Sequence, residues 1–165
     1  MRTSLLLALG LFTAGCTSPG TPVPASPGQS VDQRTEKGPF AGLGLRYDGY
    51  YRDSRGEVLY LIRFFPEGRA VLINGTRDVE NDLPFFLTRE IQSAPTQGLY
   101  NIKVDVRNDS LFFTTQPERG EISYRGKVTS GSTVRLLRHS HINGHERIME
   151  YIFYPDSAAN LPQPR

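Results

Sequence analysis

The sequence predicts an all-β fold: an eight-stranded antiparallel up-and-down β-barrel with one short helix in the long connection after its third strand. Three observations carry this expectation. The composition favours strands and tight turns, with 8 Tyr, 9 Phe, 16 Gly and 12 Pro in 165 residues. Apolar residues recur at period two, or as aliphatic-aromatic runs, over eight short segments bounded by turn residues. Five of the turns, moreover, put the apolar sets of their flanking segments on one common face.

The expected strands are residues 45–52, 57–65, 69–74, 99–107, 110–115, 121–128, 133–139 and 146–154. A four-residue loop from Asp53 to Gly56 pairs Tyr51 with Val58 and Tyr47 with Ile62. Pro66-Glu67-Gly68 then pairs Ile62 with Leu72. Asn108-Asp109 as a two-residue turn pairs Val106 with Leu111 and Val104 with Phe113. Thr129-Ser130-Gly131 pairs Tyr124 with Leu136 and Gly126 with Val134. Asn143-Gly144, a strong two-residue hairpin signal, pairs Leu136 with Tyr151 and Val134 with Phe153. Closure into a barrel leaves no unpaired edge. A two-sheet sandwich satisfies the same alternation and stays open as the alternative.

The second and third strands are apolar on both faces, with Leu59, Leu61 and Phe65 beside Val71 and Ile73. Such a patch needs a cover. The connection 76–97 is the nearest candidate: Asn81-Asp82 can cap a short helix with Pro84 in its first turn, presenting Phe85, Phe86 and Ile91.

The barrel domain is expected over residues 41–157, preceded by an address and a tether. Residues 1–15 read as a signal peptide: Met1-Arg2, an apolar run over 5–12 broken only by Gly10, then small residues before Cys16. A bilayer-spanning helix needs about 20 apolar residues, so the run is too short for one. Residues 16–40 carry Pro19, Pro22, Pro24, Pro27 and Pro39 among Gly, Ser and Thr, and read as a disordered tether. Residues 158–165 read as a frayed tail. Cys16 is the single cysteine, so no disulfide forms within the chain.

Leu11-Phe12-Thr13-Ala14-Gly15-Cys16 resembles the lipobox of bacterial lipoproteins, with Thr13 where that family usually has Leu. The resemblance implies lipidation of Cys16, cleavage before it, and attachment to the membrane through an N-terminal lipid anchor bearing acyl chains such as palmitate. Thr17 is not the Asp of an inner-membrane retention signal, which implies the outer membrane of the cell envelope. Tyr47-Asp48-Gly49-Tyr50-Tyr51 and the later Tyr124-Arg125-Gly126 are similar to small bacterial lipocalin-like lipoproteins, over residues 42–155. The chain has no Trp, which lipocalins proper usually carry in their first strand. This second resemblance implies carriage of a small hydrophobic ligand and carries over no catalytic residue.

The residues themselves narrow the function. The 19 basic residues are scattered and the net charge is only +2, which argues against a nucleic-acid partner. Ser130-Gly131-Ser132 lacks the nucleophile-elbow pattern, and Asp48, Asp53, Asp105 and Asp109 alternate outward or sit at turns. No enzyme and no cofactor is therefore expected. His139 and His141 share the outer face with Glu146 opposite His141, ligand types that suit Zn²⁺, yet a solvated hairpin tip is the expectation and no metal site is assigned.

Arg138 falls on the inner face between Ile122 and Met149, and a charge among apolar neighbours needs a partner or water. With Asn74 and Thr115 it marks a barrel mouth. An amphipathic ligand would set its anionic end on Arg138 and its body against Tyr124, Tyr151, Leu136, Phe153, Tyr47 and Tyr60. The other expectation is a protein-interaction or envelope-structural lipoprotein with a solid core, for example an inhibitor of an envelope hydrolase. Inner aromatics such as Tyr51, Phe64 and Phe113 argue for filling, whereas Gly49 and Gly126 argue for space.

Overall fold

The computed structural model describes residues 38–156. The expected signal peptide, Cys16, most of the tether and the tail lie outside the described residues. Nine strands form: β1 (Gly49–Arg55), β2 (Val58–Phe65), β3 (Arg69–Thr76), β4 (Leu99–Lys103), β5 (Asp105–Arg107), β6 (Ser110–Thr115), β7 (Ile122–Ser130), β8 (Thr133–Ser140) and β9 (Glu146–Pro155). All pair antiparallel in one sheet, in the order β4-β3-β2-β1-β9-β8-β7-β6-β5. The two edges, β4 and β5, are consecutive in the chain and separated by Val104 alone. The sheet therefore curls back on itself into a nearly closed barrel.

The strand expected over 99–107 is thus two strands, which makes nine rather than eight. Its first part pairs with β3 and its second with β6. At the break, Val104 is 2% exposed and its N–H donates to the Gly68 carbonyl at 2.9 Å. One bent segment can then serve both neighbours.

Two turns have the expected register, Ile62 facing Leu72 and Val106 facing Leu111. Asn108 (φ 47°) and Asp109 (φ 60°) both take the left-handed conformation that a two-residue hairpin turn requires. The other three turns slip. β1 runs on to Arg55, which faces Val58, so Tyr51 rather than Tyr47 lies opposite Ile62. Tyr124 faces Arg138 rather than Leu136, with a bulge between Val128 and Ser130. Leu136 faces Met149 rather than Tyr151. In that last hairpin only Gly144 is left-handed (φ 68°), so the two-residue turn does not form. Instead Gly144 N–H donates to the Ser140 carbonyl at 2.8 Å, and Asn143 Oδ1 accepts the His145 N–H at 3.1 Å. Every slip is by an even number of residues, so each inner face survives.

The core fills the barrel. Tyr51, Ile62, Phe64, Leu111, Leu136, Met149 and Tyr151 are each at most 1% exposed. One end is closed by the segment that precedes β1. Phe40, expected in the tether, is 2% exposed and meets Phe64 edge-on with ring centroids 5.8 Å apart. Leu45, expected in the first strand, is buried beside it. The Tyr51 hydroxyl pins this end, accepting the Arg46 N–H at 2.9 Å and donating to the Gly131 carbonyl at 3.2 Å.

A second core lies outside the barrel wall, where Leu59, Leu61, Val71 and Ile73 are covered by the connection to β4. A 3-10 helix at Leu83–Phe86 forms with Asp82 before it and Pro84 inside, although the Asp82 side chain makes no capping bond. The buried cover residues are Leu83 and Leu87, with Ile91 packed beside them, whereas Phe85 and Phe86 are 40% and 38% exposed. One tight turn touches the sheet where it arrives and where it leaves, so its crest faces solvent.

Candidate ligand site at the barrel mouth

The end opposite Phe40 is the open one. Alternation on β8 sends Val134, Leu136 and Arg138 inward; on β9 it sends Arg147, Met149, Tyr151 and Phe153 inward. The pairing then sets Arg138 directly opposite Arg147 across the two strands. Both are half-buried. Among the described residues, neither forms an ion pair with an Asp or Glu. Like charges directly opposite in a sheet destabilise it.

Arg138 has the Tyr124 hydroxyl beside it, whereas the partners of Arg147 are weak ones. Arg147 Nε and Nη2 point to Met149 Sδ at 3.2 and 2.9 Å, and a thioether is a poor acceptor. The Arg147 guanidinium also lies 5.1 Å from the centre of the Tyr60 ring. Arg138 Nε is buried without a hydrogen-bond partner, and so is the hydroxyl of Thr115, a residue only 2% exposed. Buried polar atoms left unpaired are uncommon and ask for an explanation.

Tyrosines complete the mouth. Burial pushes the phenols of Tyr151, Tyr124 and Tyr100 up, with Tyr151 raised furthest, and the nearby Arg138 charge offsets part of each rise. These hydroxyls stay protonated and can donate. Tyr124 stacks on Phe113 with ring centroids 4.8 Å apart, which holds it against the wall. Asp53, expected to face solvent, is instead 5% exposed on the inner face opposite Tyr60, because β1 extends past its expected end. Its carboxylate is already occupied: one oxygen lies 3.2 Å from Arg55 Nε and the other accepts the Glu150 N–H at 3.3 Å.

The space among Tyr60, Asn74, Tyr100, Tyr124 and Tyr151 measures about 20 Å³. That admits one water, far less than an acyl chain occupies. Gly49 and Gly126 do not open the interior. A Cβ on Gly49 would come within 2.1 Å of the Tyr154 carbonyl, and one on Gly126 within 2.0 Å of the Arg135 carbonyl, so both mark close strand crossings.

Of the residues expected to line a ligand, Arg138, Tyr124 and Tyr60 gather at the mouth, while Tyr151, 1% exposed and paired with Val134, rises from the core toward them. Leu136 lies deeper, fully buried. Phe153 and Tyr47 belong to the closed end: Phe153 packs on Tyr51 at 5.1 Å under the Arg46 guanidinium, 3.9 Å away, and Tyr47 interacts with Tyr51. The four-residue slip between β1 and β2 is what separates Tyr47 from the others. Arg147 is not among the residues expected from the sequence, although it shares the odd-numbered inner parity of Met149, Tyr151 and Phe153.

The histidine hairpin lies on the outer face. The two-residue slip makes Glu146 the partner of His139, Oε1 to Nδ1 at 2.9 Å, instead of His141. His141 Nε2 lies 3.0 Å from Ser123 Oγ and 3.7 Å from Glu121 Oε1. Hydroxyl and carboxylate meet the same ring nitrogen, so no Ser-His-acid relay exists there. Among the described residues no group of three or more His, Cys, Asp or Glu is arranged to hold a metal ion. No protein-family model, curated protein or solved structure matches this chain.

Proposed function

We propose that the chain is an envelope lipoprotein, anchored to the outer membrane through Cys16, whose lipocalin-like barrel holds a small amphipathic ligand by its anionic end and catalyses nothing. One observation carries this reading: Arg138 and Arg147 face each other on the inner wall at the open end with no acidic partner among the described residues. Two opposed guanidiniums gain most when an anion lies between them, in charge-assisted hydrogen bonds. Because the interior is filled, the apolar body of such a ligand lies along the rim and outside the barrel. A displacement titration with a fluorescent fatty acid tests the reading. Arg138→Ala weakens the acid by ~1–3 kcal/mol and leaves a neutral ester unchanged, since only charged hydrogen bonds are lost. Equal losses for acid and ester would overturn it.

The filled interior also favours a second reading, a solid-core interaction lipoprotein. On the outer face of β9, Ile148, Ile152 and Tyr154 are 47%, 45% and 36% exposed. No binding of any anion by the wild type, with no small molecule retained on native mass spectrometry, would decide for that reading.

A further inference from the structure

We infer that the mouth takes a doubly charged tetrahedral oxyanion, a phosphate monoester group, in preference to a singly charged carboxylate or phosphodiester. The inference rests on the mouth being an anion site and names the anion.

Charge count is the first argument. Arg138 and Arg147 are paired across adjacent strands, and directly opposed side chains start only about 4.5–5.5 Å apart at Cβ, a separation from which two long side chains can reach one group. Asp53, the buried carboxylate of the inner face, is already held by Arg55 and the Glu150 N–H. A single negative charge would leave one guanidinium uncompensated beside its twin. A dianion neutralises both.

Donor count is the second. Each guanidinium offers five N–H donors and no acceptor. The Thr115 hydroxyl and Arg138 Nε are buried with no partner in good hydrogen-bond geometry, and the Tyr124 hydroxyl, the one polar group shown to interact with both residues, leaves donors over for an anion. A phosphoryl group presents three terminal oxygens, each able to accept more than one bond, whereas a carboxylate presents two in one plane. Size is the third. The space among Tyr60, Asn74, Tyr100, Tyr124 and Tyr151, about 20 Å³, takes none of the ligand body, so the charged group alone docks and the remainder stays outside. A soluble phosphate ester and a lipid with a phosphomonoester headgroup share this chemistry.

Calorimetric titration of the full chain with methyl phosphate, dimethyl phosphate and acetate separates the possibilities, above the monoester's second pKa of about 6 and at fixed salt. Methyl phosphate binds about tenfold or more tighter than the two monoanions, the worth of one added charged hydrogen bond. Arg147→Gln removes that advantage, Arg147→Lys restores part of it, and Arg135→Gln on the outer face of the same strand as Arg138 changes nothing. Thermal melts of each variant confirm that it folds. Short-chain phosphatidic acid identifies the source: binding tighter than methyl phosphate and lost in Arg147→Gln assigns a lipid headgroup, and equal binding assigns a soluble ester. Equal affinity for all three small anions, all lost in Arg138→Gln, would overturn the dianion while leaving the anion mouth intact. No binding of any of them would overturn both, and binding indifferent to both arginines would overturn the site.

Discussion

Arginine opposite arginine is not what folding alone favours at the end of a barrel. Cross-strand like charges raise the energy of a sheet, and the barrel interior offers Arg147 only a thioether and an aromatic face. The parity of β8 revealed Arg138 in the sequence, and the same parity on β9 held Arg147 in plain view. Thr115 was visible as an inner residue near a strand end, but its unpaired hydroxyl was not, because that depends on what fails to approach it in three dimensions. The tyrosines give a pH signature at this scale. Burial raises Tyr47 to about 12, and Tyr124 and Tyr151 are raised by the same cause. Phenols in the unfolded chain ionise near 10, whereas these remain neutral in the fold. Their contribution to stability is therefore complete below about pH 10 and is lost as pH rises toward about 12. Denaturant melts across that window should show falling stability, with phenolate absorbance appearing only on unfolding. Tyr151→Phe should flatten the fall; an unchanged slope would mean that Tyr151 ionises freely in the folded state.

Strand faces were legible in the sequence and strand staggers were not. Alternation decides which side of a strand is apolar, and all five tested turns kept that side. The stagger comes from how nine strands tilt to close a barrel, a global condition to which no single turn has access. Asn143-Gly144 shows the conflict: a local two-residue preference yields to a longer loop that lets Ser140 pair with His145. The cover over the outer apolar patch was expected in the right place and with the wrong residues. Leu87, 1% exposed, should cost about 2–4 kcal/mol on Leu87→Ala, since a cavity would open over Leu61 and Ile73. Phe85→Ser with Phe86→Ser should cost below about 1 kcal/mol, as both side chains already face solvent. Chemical denaturation measures both, and a larger loss for the double phenylalanine variant would mean that the crest is buried in solution.

The barrel as a whole is filled and has one chemically distinct end, whereas the proposed lipid anchor lies outside the described residues. The leader is a reading of Leu11-Phe12-Thr13-Ala14-Gly15-Cys16, and membrane fractionation checks it. If Cys16 is acylated as proposed, Cys16→Ala should move the protein from the membrane pellet to the soluble fraction, because the acyl chains would supply the attachment. Continued sedimentation with membranes would remove lipidation from the account. Side-chain nuclear magnetic resonance of the arginine Nε–H groups during addition of methyl phosphate tests the anion mouth directly. The Arg138 and Arg147 resonances should shift together and saturably, while Arg46 beside Phe153 at the closed end stays in place. Shifts at Arg46 and the exposed arginines with none at Arg138 and Arg147 would contradict an anion mouth there.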